Sequence, residues 1–195
     1  MKKLAIFALI LTASIANAET IKPQEKVLFE KCVCSKNPDA YFGGCGIWTI
    51  KTTVTGIEWL DKELNTILFK GTSENNEKKA MEADMEHISE MFNDKDFDHT
   101  GAVIPKSCNE QELKKVVSNT DKYQNIFLGI VFKEQKGNSL VFYKGYDNCG
   151  YYFTGGNACE PYLNVDQIII DIKTRKKKIK EVGGFADGLL PNYAQ

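Results

Sequence analysis

The sequence predicts an α+β fold: an antiparallel sheet with two helices inserted between an N-terminal hairpin and C-terminal strands, all stapled by disulfides. Three observations carry this expectation. Trp48, Ile50, Thr52 and Val54 alternate with Thr49, Lys51, Thr53 and Thr55, the period-two signature of a strand. Met81, Met85, Ile88 and Phe92 recur at helical spacing and form one apolar stripe. Apolar runs divided by turn residues fill the last third, so the strands follow the helices instead of alternating with them.

The chain opens on a leader. Lys2 and Lys3 form a positive head, residues 4–15 are almost unbrokenly apolar, and Ala16-Asn17-Ala18 places small residues where a signal peptidase reads. Residues 1–18 are therefore expected to be a cleaved signal peptide, and 19–195 a single globular domain of the periplasm or the secreted fraction. The apolar run is too short to span a bilayer, and no later run approaches the required length, so the chain is not expected to be membrane-spanning. A formal net charge of −1 argues against a general nucleic-acid binder. Export would place the cysteines in an oxidising compartment.

Residues 19–31 read as a polar lead-in. Residues 32–46 read as a stapled loop, because Cys32, Cys34 and Cys45 lie there with Gly43, Gly44 and Gly46. The first strand should begin at Ile47, with 65–70 as its β-like return through a loop at 61–64. A helix over 57–69 competes with that hairpin; Gly56, Gly71 and the β-branched residues favour the hairpin. Ser73 can cap a helix beginning at Glu74, with Glu82, Glu86 and Glu90 off its apolar stripe and facing water. Ser107 followed by Glu110 is a capping-box pattern, and Leu113, Val116 and Val117 would give that second helix a buried face. It should end near 118–119.

Residues 126–132 are continuously apolar, as in a strand covered on both faces. Lys136-Gly137-Asn138 marks a turn and 140–143 the return. A short strand is read at 151–154. Ile168, Ile170 and Ile172 alternate with Ile169 and Asp171, and a turn at 174–177 leads back through 179–182.

Six cysteines, Cys32, Cys34, Cys45, Cys108, Cys149 and Cys159, permit too many pairings for spacing to select one. Cys149 with Cys159, across a Gly-rich turn, is the favoured bridge. The other four would tie the N-terminal segment to itself and to the region of Cys108. Cys32-Val33-Cys34 also admits an exchange-active dithiol, but the C-x-x-C spacing of such centres is absent.

Asp94, Asp96, Asp98 and Thr100, closed by Gly101, place oxygen ligands at alternate positions, as at the start of an EF-hand loop. The one cofactor this suggests is calcium. Ser107 stands where a bidentate glutamate belongs, and a solvated acidic loop is the alternative. The histidines are His87 and His99; Asp84 and His87 share a helix face and could hold a metal or simply bond to each other. Neither a G-x-S-x-G elbow nor an H-E-x-x-H helix occurs.

Lys176, Lys177 and Lys178 centre a basic cluster on a hairpin tip, suited to an anionic partner or to guarding an edge strand. Tyr146, Tyr151 and Tyr152 lie among glycines around Cys149 and make a candidate recognition surface. These features point to an exported, disulfide-bonded binding module that contacts a protein or envelope component, of inhibitor, immunity or accessory type. The alternatives are a secreted enzyme with dispersed acidic catalytic residues, or a thiol–disulfide protein using Cys32 and Cys34. No sequence feature specifies an oligomeric state.

Overall fold

The first strand begins well before Ile47. In a computed structural model, which describes residues 20–36, 44–93, 101–117, 123–147 and 163–184, the supposed lead-in is strand β1 (Gln24–Ser35). It pairs antiparallel with β2 (Cys45–Val54), from Gln24 opposite Val54 to Cys34 opposite Cys45. A bulge between Val27 and Phe29 breaks the period of two, and glutamates and lysines fill the solvent positions, so the alternation is hidden in the sequence. The expected stapled loop at 32–46 therefore has strand at both ends.

The stretch after β2 is helical, and the preferred hairpin is overturned. Helix α1 (Glu58–Leu68) buries Leu60, Leu64, Ile67 and Leu68 along one face. Gly56, at φ 80°, turns the chain out of β2. The Asp61 carboxylate then reaches back: Oδ1 accepts from Thr55 N at 2.7 Å and from Thr55 Oγ1 at 2.6 Å, and Oδ2 accepts from Gly56 N at 3.2 Å. A carboxylate in the first turn also faces the positive end of the helix dipole.

Helix α2 (Glu74–Asn93) starts as its sequence indicates, with Ser73 Oγ accepting from Asn76 N at 3.3 Å. Met81, Met85 and Ile88 are buried. Strand β3 (Ala102–Val103) follows, then α3 (Glu110–Leu113). The cap of α3 is Asn109, whose Oδ1 accepts from Glu112 N at 3.0 Å; it is not Ser107. The helix is a single short turn, with Leu113 and Val117 buried.

Strands β4 (Tyr123–Lys136), β5 (Ser139–Asp147), β6 (Leu163–Asp171) and β7 (Lys177–Gly184) complete one seven-stranded sheet among the described residues. Its order is β3-β1-β2-β4-β5-β6-β7. β4 to β7 form an antiparallel series. The sheet is nevertheless mixed, because β2 pairs with β4 in parallel. Parallel neighbours need a long crossover, and the helical chain between them supplies it. The α+β class stands; the all-antiparallel sheet does not.

The two faces carry different cores. On one, Phe29, Val33, Trp48, Ile50, Ile130, Leu140, Phe142, Ile168 and Ile170 pack with the apolar stripes of α1 and α2. On the other, Cys32, Cys34, Cys45 and Ile47 pack with Leu113 and Val117, while Phe127, Val131 and Val165 form a second cluster. Two glycines make room for rings lying along their own strands. A Cβ on Gly46 would sit 2.5 Å from the Trp48 ring, and one on Gly129 would sit 2.2 Å from the Phe127 ring.

Cys32 is bonded to Cys108 and Cys34 to Cys45, with Cα–Cα distances of 5.8 and 4.0 Å. Cys149 and Cys159 lie outside the described residues, as does 151–154. The Cys32–Cys108 bond closes a sequence separation of 76, against 11 for Cys34–Cys45. Loop-closure entropy then assigns about 4 kcal/mol to the first and about 3 kcal/mol to the second. Urea unfolding of Cys32→Ala/Cys108→Ala should show the larger loss and Cys34→Ala/Cys45→Ala the smaller. The reverse order would contradict an unfolded-state origin.

Candidate functional site

Strand β3 covers only the last part of the outer edge of β1. Val103 pairs with Cys34 and Ala102 with Ser35. Continued by one residue, the register would set Ile104 beside Val33, but Pro105 follows and has no N–H to extend a ladder. The chain departs there. From Phe29 to Val33, β1 has no strand partner on that side among the described residues.

Beside this open edge, between α2 and β1, lies a groove of about 600 Å³. Val33, Met85 and Ile104 give it apolar lining. Ile104 is 68 % exposed, the most exposed large apolar side chain among the described residues. Glu82, Glu86 and Glu90 line it with carboxylates, and Lys31 also borders it. Four-residue spacing puts the three glutamates in one row on α2. Asn93 lines the groove as well and ties α2 to β3, its Oδ1 accepting from Ala102 N at 3.0 Å.

The row of glutamates is electrostatically unfavourable for the isolated helix. Like charges four apart repel. Glu90 also sits near the negative end of the helix dipole, and α2 has no basic residue in its last turn. The sequence pattern indicated that these glutamates face water; they do, and they also flank an apolar groove. Lys31, Val33 and Ile104 come to the groove from distant parts of the chain, and no local motif marks them.

The residues singled out by sequence are distributed differently. Asp94, Asp96, Asp98 and Thr100 lie outside the described residues, as do Tyr151 and Tyr152. Tyr146 lies in β5, paired with Asn164. Lys177 and Lys178 begin β7 and Lys176 immediately precedes it, at the sheet edge opposite β1. That basic turn is firmly built. Asp171 Oδ1 accepts from Lys173 N at 3.0 Å, Thr174 N at 2.6 Å and Thr174 Oγ1 at 2.9 Å. Those bonds hold the Asp171 carboxyl below its usual range, with the Thr174 amide and hydroxyl contributing most. Arg175, at φ 59°, lies 5.0 Å from the centre of the Trp59 ring on α1. Lys177 pairs with Glu63 of α1. Lys176 and Lys178 are exposed.

Cys32 and Cys34 are buried and held in bonds to different partners, not to each other. His87 is exposed on α2, with Asp84 half-buried. No group of three or more metal-ligating side chains occurs among the described residues.

A titratable cluster lies where α1 ends. Lys144 of β5 donates from Nζ to the carbonyl of Ile67 at 3.0 Å. α1 has no basic residue in its last turn, so this lysine supplies the cation its C-terminus lacks. Burial pushes the Lys144 ammonium below its usual range, against the opposing pull of Asp166 and Glu77. Burial pushes the Glu77 carboxyl up, opposed by a hydrogen bond from Thr72 and by the charge of Lys144.

The sign of the Lys144 effect is testable. Between its lowered folded value and 10.5, the unfolded chain binds more protons than the folded one, so this residue makes stability rise with pH. In denaturant unfolding at pH 8 and pH 10, the wild type should gain stability relative to Lys144→Met at the higher pH. An unchanged difference would contradict the burial of the charge. For Asp171, whose folded value is also lowered, stability again rises with pH, but in the acid range: its contribution is complete above 3.8 and is lost as pH falls through the lowered folded value. Protection of the Thr174 amide relative to its intrinsic exchange rate should fall there in wild type but not in Asp171→Ala, which lacks the acceptor.

Comparison with known protein families, with curated proteins and with solved structures finds no match for this chain.

Proposed function

We propose that this chain is an exported, disulfide-bonded binding module of the envelope or secreted fraction, acting as an inhibitor, immunity or accessory protein. Its contact surface is the groove between α2 and the open edge of β1. The groove carries the reading: it joins the exposed Ile104, set over buried Val33 and Met85, to a row of carboxylates beside a strand that the Cys32–Cys108 and Cys34–Cys45 bonds hold in place. An apolar interior with a charged border is how recognition surfaces combine affinity with orientation. Export is supported by the leader-like residues 1–18 and by cysteines placed for two disulfides, which suit an oxidising compartment. No helix among the described residues is long and apolar enough to cross a membrane.

The test is site-specific photo-crosslinking with the full chain in the cells that make it. A benzophenone amino acid replaces Ile104 in one variant and Lys178 in another. The expected result is a discrete adduct from position 104 that a Glu82→Lys/Glu86→Lys background abolishes. An adduct from position 178 alone would move the contact to the basic edge and overturn the groove as the contact surface. No adduct from either position would overturn the binding reading.

A further inference from the structure

Resting on the groove as the contact surface, we infer that its ligand is an extended, lysine- or arginine-bearing segment of a partner protein, which adds to β1 as a further strand. Three observations converge. First, β3 already pairs at this edge and stops at Ile104 and Pro105, so the backbone groups of Phe29 to Val33 on that side meet no strand among the described residues. An incoming chain can continue the line that β3 begins. Second, Lys31 and Val33 line the groove from β1, so the side chains on one face of an added strand would project into it. Third, Glu82, Glu86 and Glu90 line the groove with three carboxylates against the single cation of Lys31, towards the end of the helix where negative charge is least favourable.

These features specify the segment. Its groove-facing residues, at alternate positions, would be basic, apolar and basic: the apolar one set against Val33, Met85 and Ile104, the basic ones against the glutamates. Its other face would be polar. The bulge between Val27 and Phe29 limits pairing on the N-terminal side, so the segment is short. Backbone bonding supplies affinity that tolerates sequence change, and the alternate positions supply selectivity.

The probe is a capped peptide, Thr-Lys-Thr-Val-Thr-Lys-Thr, titrated into the mature, oxidised chain by calorimetry, with amide exchange followed in parallel. Binding is expected, with exchange slowed across residues 29–33. It should weaken about tenfold in Glu82→Gln/Glu86→Gln/Glu90→Gln, which leaves the melting temperature no lower, because the positions are exposed and their mutual repulsion is removed. It should also be lost when the peptide amides that would face β1 are N-methylated, a change that preserves charge. Equal binding of the methylated peptide, slowed exchange on α2 alone, or no binding at millimolar peptide would overturn strand addition. If the crosslink from position 104 still forms, those same results leave the binding module intact with a ligand of different geometry. Self-association of the chain through its own Lys177–Gly184 strand, seen by light scattering and competing with the peptide, would overturn the assignment to a separate partner.

Discussion

Parallel pairing of β2 with β4, from Cys45 opposite Tyr123 to Lys51 opposite Gly129, governs where the other elements sit. Two strands running the same way cannot be joined by a tight turn. The chain must travel back along the sheet, and it does so by going round the β1 edge. α1 and α2 cover one face, β3 touches the outer edge, and α3 lies against the other face. Cys32–Cys108 fastens the far side of that path to β1. Beyond the last paired residues, the Thr53 hydroxyl donates to the Ile130 carbonyl at 2.8 Å, so the junction extends through a buried side chain.

That route explains why the groove lies at the β1 edge. α2 must descend alongside β1 before the chain can reach β3, and Pro105 then removes the chain from the edge. The wall of the groove, its apolar lining and the β1 backbone beside it, which has no strand partner among the described residues, are consequences of one crossover. At the opposite edge, β7 carries exposed lysines, while α1 engages Arg175 and Lys177. Acidic and basic features thus occupy opposite ends of the sheet, each anchored by a helix on the same face.

Much of the fold was legible locally. α2 was visible because its stripe and its Ser73 cap agree. β4 to β7 were visible because apolar runs alternate with turn residues such as Gly137, at φ 58°. α1 was misread because its evidence is divided. Gly56 and the β-branched residues suit a turn and a strand, and the decisive Asp61 bonds exist only once Thr55 and Gly56 fold back over the helix start. β1 was missed because a bulge shifts its phase midway. The groove was barely legible. Its glutamate row is a readable pattern, but Lys31, Val33 and Ile104 join it from other elements.

By itself the sequence determined the α+β class, the helix of 74–93, the strand-rich C-terminal part and the leader-like first residues. These depend on periodicity and on residues within a few positions of one another. Tertiary structure alone decided that β2 lies parallel to β4, that Cys32 meets Cys108, and that α2 runs beside a stretch of β1 that β3 leaves uncovered. Those outcomes depend on contacts between distant segments, where burial of two different faces selects one path among several that local preference would permit.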